Sequence, residues 1–371
     1  MEQDGKAGGA AGRIAIVLHD FAPGGTERII VRLANHWAAA GREVIIMCGS
    51  EAGPARALVV DRVTVIETVP ATPRAPGSRR MFARRLAPII AAAAPDVIVG
   101  PGNFHLLILA GLIDQGIAIS IVAKLSNPLD RSDLGGFRNA LFGWRKRREV
   151  RGLARLVAMS DALATEAQRT LPDARISVIG EPIVEHMDRI AHIAADAPRI
   201  LIAGRLVPQK RVALALAGFA AWDRPDARLI IAGDGDQRAS LDRLAAKLGI
   251  AGRTTFLGQV NDIQACYASA DMLLSTSSFE GFPAALVEAI VAGVPVIATR
   301  SSVALAEILA HSSLGRIVAS DRRAISAALE AQSQAAPVDE PARQALARRH
   351  DASASAANWL TLLDTVVAER R

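Results

Sequence analysis

Residues 13–48 read RIAIVLHDFAPGGTERIIVRLANHWAAAGREVIIMC. Arg13 to His19 is a nearly continuous apolar run, as expected of a strand buried on both faces, and Glu43 to Cys48 is a second. Between them, from Glu27 to Ala40, Ile30, Leu33, Ala34 and Trp37 recur at helical spacing. Strand, helix and strand in this order make a parallel pair with a crossover helix. Similar runs follow at Val63–Glu67, Asp96–Val99, Ala118–Ala123, Leu156–Met159 and Ile176–Ile179, separated mostly by helix-length patterns.

The rhythm breaks at EPIVEHMDRIAHIAADAP (Glu181 to Pro198), a stretch framed by prolines. A second series then begins: RILIAG, ARLIIAG, TTFLG, DMLLST, VPVIAT and GRIVA, again alternating with helices. The chain thus reads as two doubly wound, Rossmann-like α/β domains. We set them at 1–182 and 183–350, with a last helix over 351–371 (Trp359, Leu360, Leu363, Val366, Val367). Ligands of such sheets bind beyond the carboxyl ends of strands, so chemistry is expected in the loops that follow strands, facing a central cleft.

The bulk numbers are compatible with this. With 371 residues, 51% hydrophobic and 22% charged, the chain has material for two packed cores and no sign of wholesale disorder. Its two cysteines, Cys48 and Cys266, each lie in an apolar segment, which suits reduced buried thiols and a cytoplasmic setting. MEQDGKAGGAAG at the start has no signal-peptide pattern, and no later run approaches the ~20 apolar residues of a membrane span. Positive charge gathers between Arg131 and Arg155, where eight arginines and lysines face only Asp133 and Glu149.

Several strand-following loops carry chemistry. In FEGFPAALVEAIVAGVPVIAT (Phe279 to Thr299), Glu280 and Glu288 bracket the start of a helix expected from about Pro283 to Ala292, with Gly293 at its end. Gly281 and Phe282 offer amides at the positive end of that helix, and two carboxylates nearby suit a ligand rich in hydroxyls. Taken alone, the pair is equally an ordinary loop acid and a solvated helix acid. AGRLVPQK (Ala203 to Lys210) adds two cations, Arg205 and Lys210, that can neutralise a diphosphate without a metal. HDFAPGGTER (His19 to Arg28) adds Gly24 and Gly25, where backbone can approach a ligand closely at a helix start. GDGD (Gly233 to Asp236) mimics a metal-binding D-x-D pattern; the preferred reading is a glycine-rich turn that caps the next helix, with Asp236 near its N-terminus.

With these motifs in this order, the sequence resembles the retaining glycosyltransferases of GT-B fold, family 4. GGTER, GRLVPQK, LIIAGDGDQRASLDRLAAKLGIAGRTTFLGQV and ASADMLLSTSSFEGFPAALVEAIVAGVPVIAT carry the likeness, most specifically in the C-terminal half. The resemblance implies transfer of a hexose-type sugar from a nucleotide-diphosphate donor, with retention and with no metal or other cofactor. On matching positions it implies that Arg205 and Lys210 hold the diphosphate and that Glu280, with Gly281, Phe282 and Pro283, holds the sugar. Glu288 would hold the ribose, Gly258 to Val260 would border the base, and Gly24 and Gly25 would face the phosphates and acceptor. Relatives often carry a histidine shortly after the strand read here as DVIV. This chain has GPGNFH, with Pro101 at the aligned position, leaving His105 as the candidate catalytic histidine and His19 as a second.

Other classes fit less well. A nicotinamide dehydrogenase needs G-x-G-x-x-G after an early strand, and GGAAG precedes the first strand instead. A nucleotide-sugar epimerase of the same architecture and a non-catalytic nucleotide-sugar-binding protein remain as alternatives. In GFRNALFGWRKRREVRGLARL, Phe137, Ala140, Leu141 and Trp144 recur at helical spacing among Arg138, Arg145, Lys146, Arg147, Arg148 and Arg151. That pattern fits either an anionic membrane surface, with a lipid-linked or saccharide acceptor on the inner face of the plasma membrane, or a helix packed on its own domain. Nucleic acid is not expected, because aromatic residues make up only 4% of the chain and no recognition module appears.

Overall fold

The computed structural model describes residues 11–129, 136–186 and 188–370, without the side chains of 136–140. The chain divides into two compact units, 1–182 with 350–371, and 183–349. Each is built on one parallel sheet.

In the first unit the strands are β1 (Arg13–Leu18), β2 (Glu43–Cys48), β3 (Val63–Glu67), β4 (Val97–Gly100), β5 (Ser120–Leu125), β6 (Arg155–Ala158) and β7 (Ile176–Val178). They lie in the order β3-β2-β1-β4-β5-β6-β7. Ile14 to Leu18 and Val97 to Val99 are fully buried, which is why these strands are apolar without alternation. The helices are α1 (Gly25–Ala39), α2 (Ser78–Ala93), α3 (Leu106–Asp114), α4 (Gly136–Val150) and α5 (Asp161–Thr170), joined late in the chain by α13 (Ala352–Ala368). Ser160 caps α5 through a hydrogen bond accepted from the Leu163 amide at 3.1 Å. Trp37 of α1 and Trp359 of α13 pack with ring centroids 6.0 Å apart, and the Trp37 indole donates to the Ala356 carbonyl. Phe137, Arg138 and Ala140, part of the expected amphipathic stripe, lie outside the described side chains, and Arg131 to Gly135 outside the described residues.

In the second unit the strands are β8 (Arg199–Ala203), β9 (Arg228–Ala232), β10 (Thr254–Gly258), β11 (Met272–Ser275), β12 (Val296–Thr299) and β13 (Gly315–Val318), in the order β10-β9-β8-β11-β12-β13. The helices are α6 (Val212–Ala220), α7 (Arg238–Lys247), α8 (Ile263–Ala268), α9 (Ala284–Ala292), α10 (Leu305–Ile308), α11 (Arg322–Ser333) and α12 (Glu340–Arg349). One core of Ile200, Leu229, Ile231, Phe219, Trp222, Leu241 and Ile325 joins β8 and β9 to α6, α7 and α11. Cys48 and Cys266 are both free and buried, and burial pushes the Cys48 thiol up to about 12. No helix among the described residues is long and apolar enough to cross a membrane.

Candidate functional site

Strand order itself marks a place in the second unit. From β8 the chain winds outward through β9 and β10, whereas β11 begins the opposite series, so the loops after β8 and β11 diverge and leave a crevice at the carboxyl edge. Both loops carry the residues singled out above. Lys210 Nζ lies 2.6 Å from Glu280 Oε1, and the Ser277 hydroxyl donates to the same oxygen at 2.6 Å. Among the described residues Oε2 has no partner, so the carboxylate is held by one oxygen and open at the other. The Arg205 guanidinium, in the loop after β8, is exposed and has no described partner.

The two loops are also tied through their backbones. Ser278 N–H donates to the Gln209 carbonyl at 2.8 Å, and the Gln209 side chain returns a bond to the Phe279 carbonyl at 2.6 Å. Arg211 has φ +47°, a left-handed conformation that costs a non-glycine residue roughly 1–2 kcal/mol. It is held there by Nε on the Thr276 carbonyl at 2.9 Å and by a bond to Ser320 Oγ at 2.7 Å. The Thr276 hydroxyl in turn donates to the carbonyls of Lys210 and Arg211, both at 3.0 Å. Lys210 is therefore fixed at its backbone as well as at its ammonium.

Helix α9 starts at Ala284, and Pro283 serves as its N-cap rather than as its first helical residue. Gly293 ends it at φ +97°, as the glycine suggested. Ahead of it, the Glu280 amide donates to the Ser301 carbonyl at 2.7 Å, while the Gly281 amide has no acceptor among the described residues. Glu288, half-buried on α9, accepts a hydrogen bond from the Tyr267 hydroxyl at 3.2 Å. Burial first, and then the Glu288 charge, raise the Tyr267 phenol well above its ordinary value, so it stays a donor.

The GDGD turn has a packing explanation. A Cβ at Gly233 would lie 1.9 Å from the Gly204 carbonyl oxygen, and one at Gly235 2.6 Å from that of Leu206. The turn therefore presses on the loop that carries Arg205. The Gly233 amide also donates to the Gly258 carbonyl at 2.8 Å, which brings the Gly258–Val260 loop alongside. Asp234 spends a carboxylate oxygen on the Gly235 amide at 2.8 Å. Asp236 does not cap the next helix: α7 begins at Arg238 behind Gln237, with no side-chain cap. Among the described residues no group of three or more His, Cys, Asp or Glu gathers as a metal site.

In the first unit the order reverses between β1 and β4, and the loops after those strands meet in the same fashion. The His19 amide donates to His105 Nε2 at 3.2 Å, so that nitrogen of His105 is committed to the backbone. His105 is 1% exposed, and burial first, then the charge of Arg74, pushes its imidazole down to about 3. His19 is fully buried with Nε2 3.1 Å from Ser78 Oγ, and burial lowers its pKa as well. At Gly24 the open face is already taken: a Cβ there would lie 2.1 Å from the Glu27 carboxylate. Arg74 bridges Glu27 at 2.5 Å and Asp20 at 2.6 Å. The face of Gly24 on which a Cβ would stand is thus occupied by the carboxylate of Glu27. Gly25 has open space over it.

Sequence reasoning did not single out Ser277, Arg211 or Tyr267. Ser277 stands three residues before Glu280, a spacing that local hydrogen bonding often uses, and Tyr267 is the only tyrosine in the chain. For Arg211 nothing short of the backbone geometry would have served.

Residues 184–345 match the family described as glycosyl transferases group 1, and residues 24–181 match the glycosyl transferase 4-like domain. A lipopolysaccharide core biosynthesis glycosyltransferase of Rhizobium meliloti is 35% identical over 29% of this chain and 31% of its own length. A GDP-mannose-dependent alpha-mannosyltransferase of Mycolicibacterium smegmatis is 25% identical over 77% of this chain and 79% of its own. Among solved structures, Anabaena HepE in complex with UDP superposes with a TM-score of 0.77 at 19% identity, over 95% of this chain and 100% of that one. The chain spans less than a third of the length of several curated relatives that it matches, 30%, 31% and 13% in three cases. With two family matches covering most of its length in the order expected of two Rossmann-like halves, the chain belongs to the group 1 glycosyltransferases of GT-B fold.

Proposed function

We propose that this protein is a retaining glycosyltransferase that moves a hexose-type sugar from a nucleotide-diphosphate donor to a saccharide or lipid-linked acceptor, in the synthesis of a polysaccharide, lipopolysaccharide or glycolipid. The observation that carries the reading is the meeting of Lys210 and Glu280 at 2.6 Å across the switch point of the second sheet. A cation for a diphosphate and a carboxylate with one open oxygen for a sugar hydroxyl then stand side by side.

In this reading Lys210 and Arg205 neutralise the diphosphate as the bond from the anomeric carbon to phosphate oxygen breaks. They need no metal for that, since two cations match the charge that develops. Glu280 and the Gly281 amide hold the sugar in place, and Glu288, steadied by Tyr267, takes the ribose hydroxyls. The acceptor oxygen bonds to the anomeric carbon from the face the diphosphate leaves, and its proton passes to the departing phosphate oxygen. Relatives named for lipopolysaccharide core synthesis and for GDP-mannose-dependent transfer, and a fold neighbour solved with UDP, support this substrate class without choosing the base.

Peripheral attachment to an anionic membrane, from the cytoplasmic side, belongs to the same proposal. It is supported by Trp144 and Leu141, 58% and 48% exposed on α4 beside the exposed Arg145, Arg147 and Arg148.

The test is a thermal-shift panel of UDP, GDP, ADP, TDP and their sugar conjugates, with and without EDTA, on the wild type and Lys210→Ala. We expect one nucleotide to stabilise the protein in proportion to its concentration, indifferent to EDTA, and to bind about tenfold or more weakly to the variant. Silence toward every nucleotide, or equal affinity in the variant, would sink this site.

A further inference from the structure

A cavity of about 450 Å3 opens between α2, α3 and α4, wholly within the first unit. Five arginines line it: Arg80 and Arg84, one turn apart on α2; Arg145 and Arg148 on α4; and Arg151 just past its end. The lining carboxylates are Asp114 and Glu149, and Glu149 is engaged by Lys146 at 2.5 Å. No carboxylate among the described residues pairs with any of the five guanidiniums. The floor is shallow and apolar because α2 and α3 approach closely; a Cβ at Gly111 would stand 2.9 Å from that of Ala83.

An ordinary solvated helix face turns its arginines outward, each into its own water. Here five arginines from two helices, each still exposed to solvent, line one concavity, where a bound anion would lower their mutual repulsion. Guanidinium is the side chain best shaped for phosphate, because its planar fork donates two parallel hydrogen bonds. The volume falls within the roughly 300–1,000 Å3 of small-molecule sites. Trp144 also lines the cavity and is 58% exposed, whereas Trp37, Trp222 and Trp359 are 0%, 3% and 1% exposed.

We propose that this cavity binds a phosphate-bearing anion of about diphosphate size, presented either by a phospholipid headgroup or by a free phosphate compound. None of its lining residues belongs to the loops of Lys210 and Glu280 in the second unit or to the Gly24–Gly25 turn in the first. It supplies a discrete anchor that a diffuse attraction to a charged surface would lack, and it stands whether or not the donor assignment does.

Trp144 is the reporter. The full-length protein is titrated with inorganic pyrophosphate while tryptophan emission and acrylamide quenching are followed, with Trp144→Phe defining the signal from that residue. We expect a saturable change in the wild type, weakened about tenfold or more in Arg84→Ala/Arg148→Ala. The lysine pair Arg84→Lys/Arg148→Lys should give an intermediate affinity, and Arg62→Ala, an exposed charge elsewhere on the unit, wild-type behaviour. Circular dichroism melts establish that each variant folds.

A second arm separates the sources. Sedimentation with phosphatidylcholine vesicles carrying phosphatidic acid, lost in the alanine pair and competed by pyrophosphate, identifies a lipid headgroup. Pyrophosphate binding without vesicle binding identifies a free phosphate compound. Absence of any Trp144 response, or an equal response in the folded alanine pair, overturns the site. Nucleotide binding that depends on Lys210 survives in either case, so the two readings fail separately.

Discussion

Glu280 shows how much one side chain can be prepared in advance. Oε1 takes bonds from both Lys210 and Ser277 while Oε2 is left without a described partner, so the carboxylate is oriented before any ligand arrives. Glu280→Gln keeps the shape and can keep the Ser277 bond, but gives up the charge that Lys210 faces. Transfer should fall by about 10²–10³-fold with the fold kept, while the melting temperature drops modestly, because the pair is largely buried at 14% and 25% side-chain exposure and Lys210 is left facing a neutral amide. Steady-state kinetics beside a thermal melt checks both halves, and a near-normal rate would remove Glu280 from the site.

His105 makes a pH prediction at the same scale. Its folded value near 3 lies below the roughly 6.5 of an unfolded histidine, so below about pH 6.5 the unfolded chain binds a proton that the folded chain refuses. The stabilisation is fully present above pH 6.5 and is lost as pH falls toward 3. His19, lowered by burial as well, acts with the same sign. His105→Gln should start about 1–3 kcal/mol less stable at pH 8 and lose less on going to pH 5, read from melts at the two values. An identical slope in variant and wild type would mean that other groups govern the acid limb.

At the scale of elements, the turn after β9 and the loop after β8 behave as one piece. Gly233 has φ +151° and stands where a Cβ would meet the Gly204 carbonyl at 1.9 Å, so neither backbone can yield without moving the other. Gly233→Ala should cost about 2–4 kcal/mol of stability in the second unit and weaken nucleotide binding through Arg205, although it touches no ligand itself. Calorimetry of the variant with the preferred nucleotide would show it; unchanged affinity would uncouple the turn from the site.

This coupling also marks what the sequence made legible. Both sheets could be read because β1, β4, β8 and β11 are buried on two faces and so are continuously apolar, and the loops after them follow by position. The partnerships could not be read. Lys210 and Glu280 are seventy residues apart, as are Gln209 and Phe279, and only the strand order brings them together. Nor does the sequence say that the carboxylate of Glu27, one turn on from Gly24, lies over that glycine, where Arg74 neutralises it. Asp236 does lie near the start of α7, yet the cap expected of that turn is missing, because Gln237 opens the helix without a side-chain bond.

At the scale of the whole molecule, the chain leaves its first unit at residue 182 and returns at 350, so the stability of that unit depends on its final helix. Trp37 and Trp359 are 0% and 1% exposed, and each removes on the order of 200 Å2 from water, about 5 kcal/mol at ~25 cal/mol/Å2 as an upper bound. Arg42 with Asp364 at 2.8 Å and Arg155 with Glu369 at 2.9 Å fasten the same helix at its outer face, but surface pairs of this kind contribute about 1 kcal/mol or less. The buried tryptophan therefore decides. Trp359→Ala should destabilise the first unit by about 3–5 kcal/mol, enough to leave a marginal domain partly open. The second unit has its own core around Ile200, Phe219 and Leu229 and should be untouched. Native-state hydrogen exchange resolves the difference: amides of β1, α1 and β2 should lose protection while those of β8, β9 and β11 keep theirs. Equal loss in both sets would mean that the two units unfold as one cooperative block, and that α13 guards the whole chain rather than the half on which it packs.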